Sequence, residues 1–220
     1  MGIILLEHTD KLYWLGRYTE RVYTTLRLFS RGYDIMIDLN SDYYVRVCEK
    51  LDIPNIYSSS EDFTTRYCFD TQDINSIYNN LIRAYDNAIV LREEISSETL
   101  AYIQLAIYDM QKASISKAPL IELQKVMDDL MAFWGMIDDC TDNRNTRNII
   151  KTGKHIERLS LYGRLHGTKK DLSRETSRLK GRIELTKLAY DKEKLQYLMD
   201  LSNSEDLDYA SIVYEAEHLI

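Results

Sequence analysis

Apolar residues recur along this chain at spacings of three and four, in long stretches separated by short polar breaks. On an α-helix each residue advances about 100°, so that spacing gathers apolar side chains on one face. Leu12, Leu15, Thr19, Val22, Leu26 and Phe29 make such a stripe. It predicts a first helix, capped by Thr9 or Asp10, that runs to about residue 39. A second helix, capped by Asn40 or Ser41, ends before Pro54, and Ser58 to Ser60 followed by Glu61 and Asp62 open a third. The connector Phe69-Asp70-Thr71-Gln72-Asp73 precedes a helix over about 75–94, and Ser96 and Ser97 open another over about 97–113. Pro119, tolerated in a first helical turn, opens one to about 139. A polar turn over 141–146 leads into a helix over about 147–166, which Gly167-Thr168 breaks. The rest, 167–220, is predicted helical and more charged, with a boundary at 202–204. Two prolines and eight glycines are too few breakers for a strand-rich chain, and no stretch reads as a strand. The fold class is therefore all-α: a multi-helix bundle forming a single domain over 1–220.

One segment occurs twice. Gly16-Arg17-Tyr18-Thr19-Glu20-Arg21 returns 137 positions later as Gly153-Lys154-His155-Ile156-Glu157-Arg158. Both read G-(R/K)-aromatic-x-E-R, and the match continues with Val22 and Leu159, Arg27 and Arg164, Leu28 and Leu165. Gly16, Glu20, Tyr23 and Arg27 form a stripe beside the apolar one, and Gly153, Glu157, Ser160 and Arg164 repeat its spacing. A glycine inside a helix costs roughly 1 kcal/mol against alanine. Its presence at the same point twice predicts close approach of another helix, with the two copies packed about an internal pseudo-twofold axis. Glu20 and Glu157 then sit one turn from the crossing, at least partly buried, and a buried carboxylate needs a partner. Arg27 and Arg164 lie two turns along, too far for their own glutamates but placed to serve each other's in an antiparallel crossing. Two readings follow: a Glu–Arg network that fixes helix register, or a pair of carboxylates facing a shared cavity. Structural ion-pair networks perturb carboxylates as effectively as active sites do, which favours the first.

Charge adds a second pattern. The net charge of −7 is unevenly placed: residues 143–187 hold thirteen Lys/Arg against four Asp/Glu, and residues 188–220 hold two Lys against eight Asp/Glu. The basic stretch is expected to meet either the chain's own acidic tail or an acidic partner surface. No aromatic-interleaved basic groove or nucleic-acid motif accompanies it, so no nucleic-acid partner is expected. No apolar stretch reaches a membrane-spanning length, and Met1–Leu6 is too short and lacks the basic flank of a signal peptide. Cys48, Cys68 and Cys140 are odd in number and widely spaced, which fits a reducing, cytoplasmic setting. Seventeen tyrosines against four phenylalanines fit wet helix–helix interfaces or a binding surface, or only a compositional habit.

Phosphate-binding loops, nucleophile elbows, paired cysteines and the H-E-x-x-H zinc motif are absent. A lone E-x-x-H, Glu215 to His218, falls short of the two copies and two further glutamates of a di-iron site. The scattered His8, His155, His166 and His218 suggest no metal, and no cofactor is expected. Arg92-Glu93-Glu94-Ile95-Ser96-Ser97-Glu98 is the densest charged cluster outside the repeat. Arg92 and Glu93 are candidates to join the Glu–Arg network, against the plainer reading of a solvated helix end with a capping serine.

These tracts resemble the bacterial alpha-E domain family. The resemblance rests on Leu12-Tyr13-Trp14-Leu15 and the first repeat, on Phe69-Asp70, Ser76-Ile77 and Asn87-Ala88, on Arg92 to Glu98, on Phe133-Trp134-Gly135, and on the second repeat. It covers about 9–165. Tyr85 and Ile89 stand where the family has arginines, and Asp73-Ile74 replaces its N-P. Its T-M-x-R and tryptophan ahead of the second repeat are reduced to Thr141 and Arg144. The resemblance implies a helical domain with a Glu/Arg network of Gly16, Arg17, Glu20, Arg21, Arg27, Arg92, Glu93, Glu98, Gly153, Lys154, Glu157, Arg158 and Arg164. Members are typically encoded with, or fused to, circularly permuted ATP-grasp ligases, and often near transglutaminase-like proteases. The implied role is a non-catalytic partner of an ATP-grasp-type system that forms or modifies peptide or amide bonds, touching the ligase, its peptide substrate, or both. A helical enzyme using Glu20, Glu157 and Glu93 as acid/base groups is one alternative, and a homo-oligomeric scaffold is another.

Overall fold

Helix after helix accounts for the computed structural model, which describes residues 6–220. They are α1 (Leu6–Asp38), α2 (Tyr43–Leu51), α3 (Ser60–Phe69), α4 (Ile77–Val90), α5 (Arg92–Ile95), α6 (Ser97–Ile115), α7 (Pro119–Cys140), α8 (Arg144–Arg164), α9 (Lys169–Ile183), α10 (Lys192–Asn203) and α11 (Tyr209–Glu217). The reading of Met1–Leu6 as too short for a signal peptide falls on residues that lie, but for the last, outside those described. None of the described helices is long and apolar enough to cross a membrane.

Side-chain caps set most boundaries. Ser59, Ser76, Thr168 and Asp208 each accept a bond from the backbone N–H three residues on. Asn143 accepts from Asn145 and Thr146 and so starts α8 three residues earlier than the pattern predicts. The other departures have similar local causes. No cap forms at Thr9 or Asp10, because α1 is already helical from Leu6. The helix expected over 75–94 breaks at Leu91, and α5 is a separate turn. There Ser96 takes φ 75°, a conformation unfavourable for a residue with a side chain, and its hydroxyl caps α6 through the Thr99 N–H. The C-terminal part contains a break that the pattern missed, over 184–191, where Asp191 caps α10 through the Glu193 and Lys194 N–H groups. Neither break carries a glycine or proline.

The chain divides into two compact units, one of Met1–Glu20 with Asp142–Ile220 and the other of Arg21–Thr141. In the second unit, α6 and α7 form an antiparallel hairpin. Ile103, Ala106 and Met110 of α6 and Val126, Leu130, Phe133 and Ile137 of α7 are fully buried there. Aromatic rings pack together around α3 of the same unit. Phe63 stacks on Tyr67 at 5.0 Å, meets Tyr57 edge-on at 5.0 Å and lies 5.8 Å from Tyr44. The Tyr57 hydroxyl donates to Asp73 at 2.8 Å, so here tyrosine supplies apolar area inside and a satisfied polar tip.

The first unit has its own core. Ile156 and Leu159 of α8, Leu172, Leu179 and Ile183 of α9, Leu195 and Leu198 of α10, and Ile212, Ala216 and Leu219 near the C-terminus pack as one cluster. The acidic tail thus folds back on the basic stretch. Charge joins them at Arg164 to Glu217 (3.1 Å) and Lys169 to Glu205 (2.5 Å). The apolar cluster does the larger part, since an exposed pair such as Lys169 to Glu205 contributes only about 0–1 kcal/mol.

Candidate functional site

The first half of α1 crosses α8 at the repeated glycines. A methyl group added to Gly16 would overlap the Ile150 carbonyl oxygen, and one added to Gly153 would overlap the Tyr13 carbonyl oxygen. Backbone therefore lies against backbone on both sides, which only glycine permits. Alanine has the better helix propensity by roughly 1 kcal/mol, but overpacking a closed contact costs about 1–3 kcal/mol or more. Gly16→Ala and Gly153→Ala are accordingly expected to lower the melting temperature. Gly181→Ala, in α9 with nothing within 4 Å of the added carbon, is expected to raise it slightly. Three melting curves check the pattern of signs.

The crossing brings the glutamates of each helix to an arginine of the other. Arg17 Nε donates to Glu157 Oε2 at 2.7 Å. Arg158 holds Glu20 in a two-pronged contact, Nε to Oε1 at 2.7 Å and Nη2 to Oε2 at 2.8 Å. Glu20 and Glu157 are 0% and 1% exposed. The contact is reciprocal at the glycines but unequal at the charges: one arginine comes from the second position of its motif and the other from the sixth. Burial works against both guanidinium charges, and the facing carboxylates more than offset it, so both arginines are held above their ordinary pKa. Arg17 also lies over the Trp14 ring at 4.9 Å.

A third carboxylate extends the network, and the sequence pattern gave no reason to select it. Glu175 of α9 is fully buried. Its Oε2 lies 2.9 Å from His155 Nδ1 and 3.6 Å from Arg158 Nη1, and its Oε1 accepts from Arg178 at 2.8 Å and Arg174 at 3.2 Å. Arg158 is thus shared between Glu20 and Glu175. Burial pushes the Glu175 carboxyl up, but the His155 bond and the Arg158 charge outweigh it and bring it down to about 2. Burial likewise lowers His155, against the pull of Glu175. Lys154, the counterpart of Arg17, is lowered to about 8 by burial and by the Arg158 and Lys151 charges, against the pull of Glu20.

These directions fix an acid response. A histidine lowered in the folded state binds fewer protons than in the unfolded chain, so its contribution weakens as pH falls below about 6.5. A carboxylate lowered to about 2 contributes above its unfolded pKa of about 4.3 and loses that contribution as pH falls further. Asp129 acts oppositely: burial and the neighbouring Asp109 raise it to about 6, so protonating it on acidification favours the fold until about pH 4. Between about pH 6.5 and 4.5 the His155 and Asp129 contributions oppose each other, and a steep decline in melting temperature is expected below about pH 4.5, where Glu175 loses its contribution. Glu175→Gln should flatten the steep part.

Not every candidate joins the network. Arg164 instead bonds Glu217 at 3.1 Å and approaches Ser160, whose hydroxyl donates to the same carboxylate at 2.6 Å. Arg27 is exposed, with its guanidinium 5.8 Å from the Tyr23 ring. The expectation that Arg27 and Arg164 serve the two glutamates is therefore corrected: Arg17 and Arg158, closer to the crossing, do so. Arg21, the first residue of the second unit, is half-buried, and its charge bears on the buried Tyr67 phenol. Arg92 and Glu93 are exposed and 4.0 Å apart, and Glu98 is exposed in the first turn of α6, which is the plainer reading of that tract. Tyr85, where the family has an arginine, accepts a bond from Gln104 at 3.2 Å, and Ile89 is exposed.

The arrangement defines a helical domain in which the glutamates of two Glu-Arg sequences meet arginines across a helix crossing. The chain belongs to the Alpha-E family: the family model, described as a predicted alpha-helical domain with a conserved ER motif, matches residues 7–206. That span reaches beyond the 9–165 read from motifs alone and takes in α9 and α10. No curated protein and no solved structure matches the chain.

Proposed function

We propose that this chain is a non-catalytic helical accessory module for an ATP-grasp-type ligase that forms or modifies peptide or amide bonds. One observation carries the non-catalytic part: Glu20, Glu157 and Glu175 are at most 1% exposed, and each is held by charge-assisted bonds. A general acid or base must come within hydrogen-bond reach of the atom it serves. Carboxylates closed off in this way hold helices together and leave no face for a substrate. The ligase association is what membership of the family implies.

The test is co-elution of the purified chain with an ATP-grasp ligase encoded beside it, together with ligase turnover in its presence. A complex is expected, and the isosteric Glu20→Gln is expected to cost stability while leaving complex turnover intact at temperatures where the variant is folded. A folded Glu20→Gln or Glu157→Gln variant with normal stability and abolished turnover would instead assign these carboxylates to chemistry. Self-association of the chain with no ligase bound would favour the scaffold reading.

A further inference from the structure

The break between α9 and α10 builds a cleft. Residues 184–191 leave helical structure and run as a strap pinned at several points. The Thr186 hydroxyl donates to the Ile183 carbonyl at 2.7 Å, the Lys187 N–H donates to Asn145 Oδ1 at 2.8 Å, and the Asp191 N–H donates to the Leu219 carbonyl at 3.1 Å. The strap is therefore preformed, and a preformed wall spares a ligand the cost of ordering it. With α9 and α10 it borders a half-open cleft of about 400 Å³, within the range of about 300–1,000 Å³ usual for small-ligand clefts.

Apart from Gln196, whose amide donates to Asp200 at 3.0 Å, the lining has three chemistries. Leu195 and Met199 of α10 and the ring of Tyr190 make an apolar floor that continues into the core. Lys180 and Lys192 stand on the rim with ammonium groups. Among the described residues neither lies within ion-pair distance of a carboxylate, unlike Lys112, Lys125 and Lys169. Glu184 supplies one acceptor for an N–H. The set excludes several ligands. A phosphate dianion would bring two negative charges, and no N–H, to Glu184. One carboxylate is too few for a divalent cation. An apolar ligand alone would leave two rim charges unused. A carboxylate attached to an apolar side chain and an amide N–H satisfies all three, and that is the free C-terminal end of a peptide.

We propose that this cleft binds the C-terminus of a short peptide. The carboxylate sits between Lys180 and Lys192, the last side chain lies on Leu195 and Met199, and the last amide N–H donates to Glu184. Naming a peptide as the ligand rests on the accessory-module reading, while the charge and shape of the site do not. In the economy of such a system the cleft would present a carboxyl terminus, the group that ATP-dependent ligation activates.

The experiment titrates the isotopically labelled full chain with the tripeptide Ala-Glu-Leu as free acid and as C-terminal amide, following Tyr190 and Met199 by NMR. Saturable shifts are expected with a midpoint below about 1 mM for the acid, and binding at least roughly tenfold weaker for the amide. K180Q/K192Q, two exposed or half-buried rim substitutions, should lose the same factor with an unchanged melting temperature. Equal binding of acid and amide would overturn the proposal. So would wild-type affinity in the double variant, or no saturable shift up to about 10 mM. Ligase co-elution on the same samples separates the two claims. A complex without peptide binding rejects the cleft alone, and peptide binding without a complex keeps the cleft and rejects the accessory reading.

Discussion

Arg158→Ala is expected to lower the stability of this protein by about 3–5 kcal/mol, the usual result of removing one member of a buried charge pair. At roughly 2–4 °C per kcal/mol for a chain of this size, that is a fall of about 10 °C in melting temperature. The direction of the asymmetry is also fixed. Arg158 gives Glu20 two short bonds and reaches Glu175 at 3.6 Å, so its loss weakens the surroundings of two fully buried carboxylates at once. Glu20→Ala leaves Arg158 beside Glu175, with some of its side chain still reaching solvent, and should cost less. Replacing both Glu20 and Arg158 by methionine should recover the part of the loss that comes from Glu20, because well-packed apolar groups often match a buried ion pair, while Glu175 still lacks Arg158. Thermal and denaturant unfolding of the three variants check the order.

Deleting residues 204–220 should do still more damage. It removes α11 and with it Ile212, Ala216 and Leu219, which are at most 1% exposed. Burying a large aliphatic side chain contributes about 1.5–3 kcal/mol. The deletion also uncovers Leu198, Ile156 and Leu159, which share the same cluster. A total above roughly 5 kcal/mol is comparable with the whole stability of an ordinary domain. The truncated chain is expected to lose cooperative unfolding or to aggregate. Because apolar burial dominates, moderate salt should barely change the melting temperature of the intact chain. A truncated chain as stable as the full one would show that the tail is not a structural part, and would return the basic stretch to the role of a partner-facing surface.

Much of this was legible in the sequence because helix periodicity is a strong signal where helices are long. The stripe from Leu12 to Phe29 is buried along its whole length. The glycine repeat located the crossing, because an interior glycine in a helix is costly without a close neighbour. What the pattern missed has physical causes. The breaks at Leu91 and at 184–191 use serine, threonine and aspartate hydrogen bonds, which look the same in sequence whether a helix continues or ends. The pairing of Arg17 and Arg158, and not Arg27 and Arg164, depends on the crossing angle, which spacing along one helix does not contain. Glu175 stayed hidden because it lies outside the repeat, in a segment dominated by cations. The cleft beside Tyr190 stayed hidden with the break that forms it.

The Glu–Arg pairs act as structure, holding the first half of α1 on α8. A double-mutant cycle on Glu20 and Arg158, each changed to alanine and followed by denaturant unfolding, tests it most directly. A coupling of about 2–3 kcal/mol between the two positions is predicted, near the top of the range for residues in one buried network. Additive effects, within about 0.5 kcal/mol, would contradict it.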